Sequence, residues 1–535
     1  MENKQLTKNA GKAAFGTMLS RILGYARDML VANLFGAGMF ADAFYAAFRI
    51  PNLFRRVFGE GSFSAAFIPV FSGYLHSKDR SETQNFLNAV FTMLLAVLIV
   101  VCIVGVFFAP IFVKIIAWGF TDDPEKMRLT VELTRLMFPF ICFICIAAFL
   151  LAILNTLQSF FLPAFAPSVL SMAEIFYMLA VAPYLISTNQ IKGLAISVIA
   201  GGAAHFFIQY PKLKSLGWTL KPQFKIRIAN KEEDAQPELQ LRSLQPAAAF
   251  YKHPGIKKIA FLMIPSIIGL SVDQINSFVD TICASFLASG SITALYYSNR
   301  LMQLPLAIFG LAFASVSLPA MSKAYAQKDF ASFKNSLNYS IRFSVFALLP
   351  AMAGLMVIGL PIVKLLFEHG RFDAAASLAT NRALFFYSLG LPSYAMAKIF
   401  ANAFYSFQDT KTPVKAAAYS MLLHVVLCVV LMRFLDVGGL ALATALASYF
   451  NLLLLIFWLK KRLGKIGLTK MFFSFAKSFA ASILTAITAF YACKVSQNAF
   501  ISVPVSIFAG ASVFFITAKI LKSQELKGFV QILKK

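Results

Sequence analysis

The chain has 535 residues, a mean hydropathy of +0.73, 59% apolar residues and only 13% charged ones. Soluble domains average about 25% charged residues, so the composition excludes a soluble enzyme, and the long apolar runs without strand alternation exclude an outer-membrane barrel. The formal net charge of +26 does not indicate nucleic-acid binding, because the excess Lys and Arg sits in alternate loops, as the positive-inside rule expects of a polytopic membrane protein.

The fold class is therefore all-α and membrane-spanning. At ~20 apolar residues per span, the runs predict about fourteen transmembrane helices. They lie at 11–34, 38–75, 84–117, 126–158, 165–187, 190–210, 256–288, 291–325, 332–366, 376–407, 412–434, 437–462, 468–493 and 500–522. The basic start, Met1 to Lys12, precedes an apolar run that meets Arg21 before any cleavage site, so it is read as a mature first helix.

The first two spans join at Gly36-Ala37-Gly38 and carry Arg21, Arg27, Asp28, Asp42, Arg49, Arg55, Arg56 and Glu60. An ion held at bilayer depth costs roughly 2.5–3.5 kcal/mol on insertion scales, so such charges face a wet cavity or pair with one another. Five arginines against three acids leave a positive surface suited to an anion. Guanidinium forks match phosphate oxygens and stay charged when desolvated. Arg27 and Asp28 adjoin but point apart, which predicts that Asp28 pairs with another helix. Arg49 either lines the cavity or snorkels. Arg55 and Arg56 bind or anchor a helix end, and Glu60 gates or pairs with Arg55 or Arg56.

Further along, Glu174 and Lys398 are lone ions in the fifth and tenth spans, facing either a cavity or a neighbouring helix. His205 and His424 are packed side chains or proton relays. The six cysteines lie in apolar segments and read as packing. Cys142 and Cys145 have C-x-x-C spacing without a second ligand pair. The long polar stretch 211–255 reads as a cytoplasmic linker.

The two halves look alike. Asn155 faces Asn402 and Gly193 faces Gly439 at an offset of about 246 residues, and Pro69 faces Pro319 at about 250. An internal repeat divides the chain into an N-lobe at 1–210, the linker at 211–255, a C-lobe at 256–462, and two extra helices with a basic tail at 463–535. Each lobe is a six-helix bundle. The second lobe supplies Asp273, Asp280 and Arg300, the last beside Tyr296 and Tyr297.

The runs SRILGYARD, FGAG, ADAF, PNLFRR and FGEGSFSAAFIPVF, with YYSNRLMQLP later, resemble the MurJ (MviN) lipid II flippase family of the multidrug/oligosaccharidyl-lipid/polysaccharide exporter superfamily. The resemblance covers essentially the whole chain. It implies movement of an undecaprenyl-pyrophosphate-linked peptidoglycan precursor from the inner to the outer leaflet by alternating access between two lobes around a cationic cavity. By motif match, the substrate-binding arginines fall on Arg21, Arg27, Arg55 and Arg300, and Asp42 and Glu60 on cavity or gate positions. A sodium site of some members matches Asp280 and Thr444, although the eleventh span here offers Ser420 and His424 in place of a carboxylate. No cofactor is implied beyond sodium or another monovalent cation and the membrane potential.

Implied partners are lipid II, membrane lipids and peptidoglycan-synthesis proteins, with no nucleic acid. The implied protein is a monomer in the cytoplasmic (inner) membrane with both termini inside. A sibling exporter of another polyprenyl-linked glycan or of drugs is the alternative. A membrane enzyme is disfavoured, because Asp122 and Asp123 are the only adjacent acids in a short outer loop and no His accompanies them.

Overall fold

A computed structural model of the chain describes residues 2–55, 62–223, 225–226, 248–249, 253–496, 498–526 and 528. Helix dominates, as it must where no water is present to bond an open backbone. In chain order the first helices are α1 Glu2–Phe35, α2 Met39–Phe54, α3 Ser62–Ser77, α4 Arg80–Phe107 and α5 Ala109–Ile116. They are followed by α6 Pro124–Met137, α7 Phe140–Thr156, α8 Phe161–Phe165, α9 Pro167–Ala180 and α10 Ser187–Ser215. Then come α11 Pro254–Ser285, α12 Ser291–Pro305, α13 Leu311–Ala326, α14 Phe330–Phe367 and α15 Ala374–Leu389. The last are α16 Leu391–Ser406, α17 Lys411–Leu435, α18 Val437–Leu463, α19 Leu468–Cys493 and α20 Ala499–Ile520.

Among the described residues, nine helices are long and apolar enough to cross a membrane, or ten if the bent pair α6–α7 is one span. That count stops short of the expected fourteen. The expected tenth span is divided into two 16-residue helices, α15 and α16, at Gly390. Of the second, α2 and α3 are described, each of 16 residues, and the first carries Arg21, Arg27 and Asp28.

By its contacts the chain forms two compact units, Met1–Val31 with Ala43–Gln274, and Ala32–Asp42 with Ile275–Lys535. The division falls inside α11 rather than in the 211–255 linker, and the Gly36 turn goes with the second unit. The described start of that linker is ordered against α4. Gln84, Asn88 and Thr92, one turn apart on α4, bond the backbone of Thr219, Lys221 and Gln223. Arg80 donates to the Gly217 carbonyl and lies over the Trp218 ring. Two-residue strands at Lys225–Ile226 and Ala248–Ala249 pair antiparallel.

Within each unit the same local solutions recur. Asp79 caps α4 by accepting from the Glu82 amide, and Asp329, 250 residues later, caps α14 from the Ser332 amide. Asp123 caps α6 and Asp373 caps α15, again 250 residues apart. Phe108 and Ile358 leave helical geometry at the same distance along the third span. Gln158 and Gln408 both adopt φ 61°. At each, the next residue's amide reaches the carbonyl five residues back, the bond that closes a Schellman-type helix end. The repeat register here is 250 residues, so Asn155 pairs with Tyr405 and not with Asn402. A shared Asn lacks the geometric constraint that a capping Asp or a left-handed residue carries.

The extra C-terminal helices pack on α14, where Phe346 meets Phe514 at 4.9 Å and Ala481 and Ala518 close the cluster. Beyond α20, Glu525 accepts from Arg342 Nε at 2.6 Å and from Ser474 and Ser523.

Candidate functional site

In the first unit, α9 buries Ser168, Ser171, Glu174 and Met178 along one stripe, which turns the Glu174 carboxylate inward. There it meets α1. Arg27 Nη1 lies 3.5 Å from Glu174 Oε1, and Arg27 Nε and Nη2 donate to Asp28 Oδ1 at 3.0 and 2.6 Å. The Asp28 and Glu174 side chains are only 1% and 3% exposed, so a shared guanidinium is what makes two acids tolerable there.

This corrects the expectation that Asp28 turns away from Arg27. The arginine side chain is long enough to fold back over its neighbour, and burial favours the contact. Glu174, read from sequence as a lone ion, is the second acid of this cluster.

Arg21 is exposed on α1, while Arg49 and Arg55 are half-buried on α2. Arg55 Nε donates to Asn52 Oδ1 at 2.8 Å, where the helix widens to π geometry. Glu60 and Arg56 lie outside the described residues. The corresponding helix of the second unit also widens, at Leu306–Gly310 after Pro305.

Arg300 belongs to the second unit, half-buried on α12 one turn beyond Tyr297. Tyr297 is fully buried and stacks on Phe367 at 4.5 Å, which fixes this part of α12. Asn299 accepts from Gln303, one turn further along α12.

Asp42, expected at a cavity or gate, is 1% exposed and acts on a helix end. Its carboxylate accepts from the Gly290 amide at 2.7 Å, the Thr293 amide at 2.9 Å and the Thr293 hydroxyl at 2.7 Å. It thus caps α12 from another segment, at the end of the helix dipole that favours an anion. The turn beside it is tight. Gly36 has φ +64°, and a Cβ there would strike the Arg371 carbonyl oxygen.

The two cation-site positions do come together. On α17, Ala416, Ser420, His424 and Cys428 form a buried stripe at four-residue spacing, facing Asp280 of α11. His424 Nε2 is 3.1 Å from Asp280 Oδ1 and 3.2 Å from Thr444 Oγ1. Cys428 Sγ lies 3.3 Å from that nitrogen and 3.6 Å from Asp280 Oδ1. Cys283 stands three residues on from Asp280, on the same face of α11, and is buried.

Sodium is a hard ion served by carboxylate, hydroxyl and carbonyl oxygens. Here an imidazole nitrogen stands between the two oxygens and a sulfur flanks it. The residues therefore do not fit the expected sodium site. Cys283 and Cys428 were read from sequence as packing. The missed signal was spacing, with Asp280 and Cys283 three apart and His424 and Cys428 four apart, each pair on one helical face. The C-x-x-C cysteines behave differently: Cys142 faces Cys102, with the sulfurs 3.4 Å apart.

Comparison with known proteins adds to this geometry. Residues 31–509 match the family described as lipid II flippase MurJ. A probable lipid II flippase MurJ of Vibrio cholerae is 36% identical over 460 residues, spanning 85% of this chain and 82% of that protein. Lipid II flippase MurJ of Burkholderia cenocepacia is 36% identical over 446 residues, spanning 83% and 82%. A solved lipid II flippase MurJ in an inward closed conformation aligns with TM-score 0.77 at 27% identity, over 95% of this chain and 98% of that one. An inward-facing multidrug resistance MATE family transporter aligns with TM-score 0.66 at 13% identity over 84% and 95%, a likeness of fold alone.

Proposed function

The chain belongs to the lipid II flippase MurJ family, and we propose that it moves lipid II across the cytoplasmic membrane for peptidoglycan synthesis. The observation that carries this reading is family membership over residues 31–509, with relatives more than a third identical over four-fifths of both chains. The charge distribution agrees with it. A pyrophosphate diester carries two negative charges, and the membrane-depth cations of the first two helices are all arginines. A cationic drug would be repelled by the same surface. No covalent bond is made or broken, so no nucleophile is required.

In this reading the arginines that match the family motif, Arg21, Arg27, Arg55 and Arg300, hold the pyrophosphate, and Arg49 adds positive potential. Headgroup binding offsets repulsion among these cations and permits closure, and outward opening releases the headgroup. The membrane potential, acting on the excess positive charge, resets the cycle. Asp42 acts on the gate by capping α12. The excess of Lys and Arg in alternate loops supports an orientation in the inner membrane with both termini cytoplasmic. The protein works as a monomer beside the peptidoglycan-synthesis enzymes that consume its product.

The test is lipid II translocation in cells depleted of their own flippase, at equal membrane abundance. Wild type rescues, and Arg300→Ala and Arg27→Lys each lose most of the rescue. Failure of well-expressed wild type would point to another polyprenyl-linked glycan. Undiminished rescue by both variants would overturn the assigned binding site.

A further inference from the structure

We propose that Asp280, His424 and Cys428 form a binding site for one borderline-soft d10 divalent cation of the zinc type, which cross-links α11 to α17 within the second unit.

The donor set selects the ion. One carboxylate oxygen, one imidazole nitrogen and one sulfur lie within 4.8 Å of one another. Nitrogen and sulfur ligands suit zinc and disfavour sodium, magnesium and calcium. The geometry also fits. Zinc bonds of about 2.0–2.3 Å at tetrahedral angles put ligand atoms roughly 3.4–3.6 Å apart, and the observed triangle has edges of 3.1, 3.3 and 3.6 Å. Movements of a few tenths of an ångström would seat an ion. Thr444, 3.2 Å from the imidazole, is placed to support a fourth position.

The internal repeat supplies an independent reason. His424 stands 250 residues after Glu174, in the register fixed by the capping aspartates. In the first unit, the cluster between the first and fifth spans contains its own permanent cation, Arg27. In the second unit, His424 is the one basic side chain paired with Asp280 among the described residues. The Asp280 carboxylate, with the thiolate that Cys428 becomes on binding, balances the charge of a divalent ion. On binding, Cys428 loses its thiol proton to solvent and His424 coordinates through Nε2.

The proposal is independent of the lipid substrate, so its test needs no transport. Full-length protein in nanodiscs is stripped with chelator and titrated with Zn²⁺, and separately with Co²⁺ as a spectroscopic probe. The Cys102→Ser background removes the other close thiol pair. One zinc per chain is expected, together with a thiolate-to-cobalt charge-transfer band. Cys428→Ser should abolish the band and weaken zinc by more than the ~10–100-fold that loss of an outer-shell partner costs, whereas Cys493→Ser changes neither. X-ray absorption of zinc-loaded wild type should show sulfur at about 2.3 Å with nitrogen or oxygen at about 2.0–2.1 Å. This second readout stands even if Cys428→Ser fails to fold.

Equal zinc binding by wild type and a folded Cys428→Ser would overturn the proposal, as would an all-oxygen-and-nitrogen shell. A sodium-dependent thermal shift with no zinc uptake would also overturn it and reinstate an alkali-cation site.

Discussion

The two units answer one problem in two ways. Between its first and fifth spans each buries charge, and one pair of positions, Glu174 and His424, corresponds in the 250-residue register. The first unit encloses a guanidinium between two carboxylates, Arg27 with Asp28 and Glu174. The second surrounds one carboxylate, Asp280, with imidazole and thiol groups. A built-in cation cannot leave, whereas a coordinated ion can exchange. Duplicated backbones thus keep helix ends and bends in register while the buried chemistry diverges. The shared elements are helix ends and bends, and the differing ones are buried side chains.

The largest expected effect tests the built-in cation. Arg27→Ala leaves two buried acids without their guanidinium and should destabilise the protein by about 3–5 kcal/mol, read from unfolding in detergent. Adding Asp28→Asn and Glu174→Gln should recover much of that stability without restoring translocation. Recovery of both would mean that Arg27 serves only the cluster.

Next, His424→Glu makes the second unit resemble the first at this position while supplying no arginine. Two neighbouring carboxylates repel, so thermal stability should fall and should rise again with added Na⁺ or Ca²⁺. A stability indifferent to cations would separate this pocket from any ionic role.

A smaller effect is expected at Asp42, which exists only in the second unit's arrangement. Asp42→Asn turns an amide N–H₂ toward one of the donors of Gly290 or Thr293 and should cost about 1–3 kcal/mol, read from the same unfolding curves. Smaller still are the repeated caps. Asp123→Ala and Asp373→Ala should each cost about 1 kcal/mol, and a large inequality would mean that the two copies no longer bear the same role.

The least effect is the pH response of one exposed cap. Hydroxyl and amide bonds from Ser332 hold the Asp329 carboxyl below its ordinary value. A group whose folded-state value is depressed stabilises above its unfolded value and loses that contribution as pH falls through the folded one. Asp329→Asn should therefore flatten the acid side of the stability curve slightly while leaving neutral pH nearly unchanged.

Sequence patterns made the broad architecture legible for a simple reason: lipid exclusion acts on every residue of a span. Hydropathy therefore announced an all-helical membrane protein, and the cost of buried charge marked Arg21, Arg27, Arg49 and Arg55. Spacing was less informative about partners. Arg27 and Asp28 were read as pointing apart because helical periodicity fixes where a Cβ leaves the axis, not where a long flexible side chain ends. Similarly, the offset of Asn155 and Asn402 was a composition match, whereas the 250-residue register emerged from capping and left-handed residues that geometry pins in place.

What the sequence determined by itself was what each segment can tolerate: helix in lipid, charge only where it is paired or wet, glycine at the φ +64° turn of Gly36. Only the tertiary structure decided which groups meet. It joined Glu174 to Arg27, set Asp42 on the end of α12, and gathered Asp280, His424 and Cys428 from helices nearly 150 residues apart in sequence. Local tolerance depends on a residue and its immediate neighbours along the chain. Partnership depends on how separate helices pack, and no periodicity within one helix encodes that.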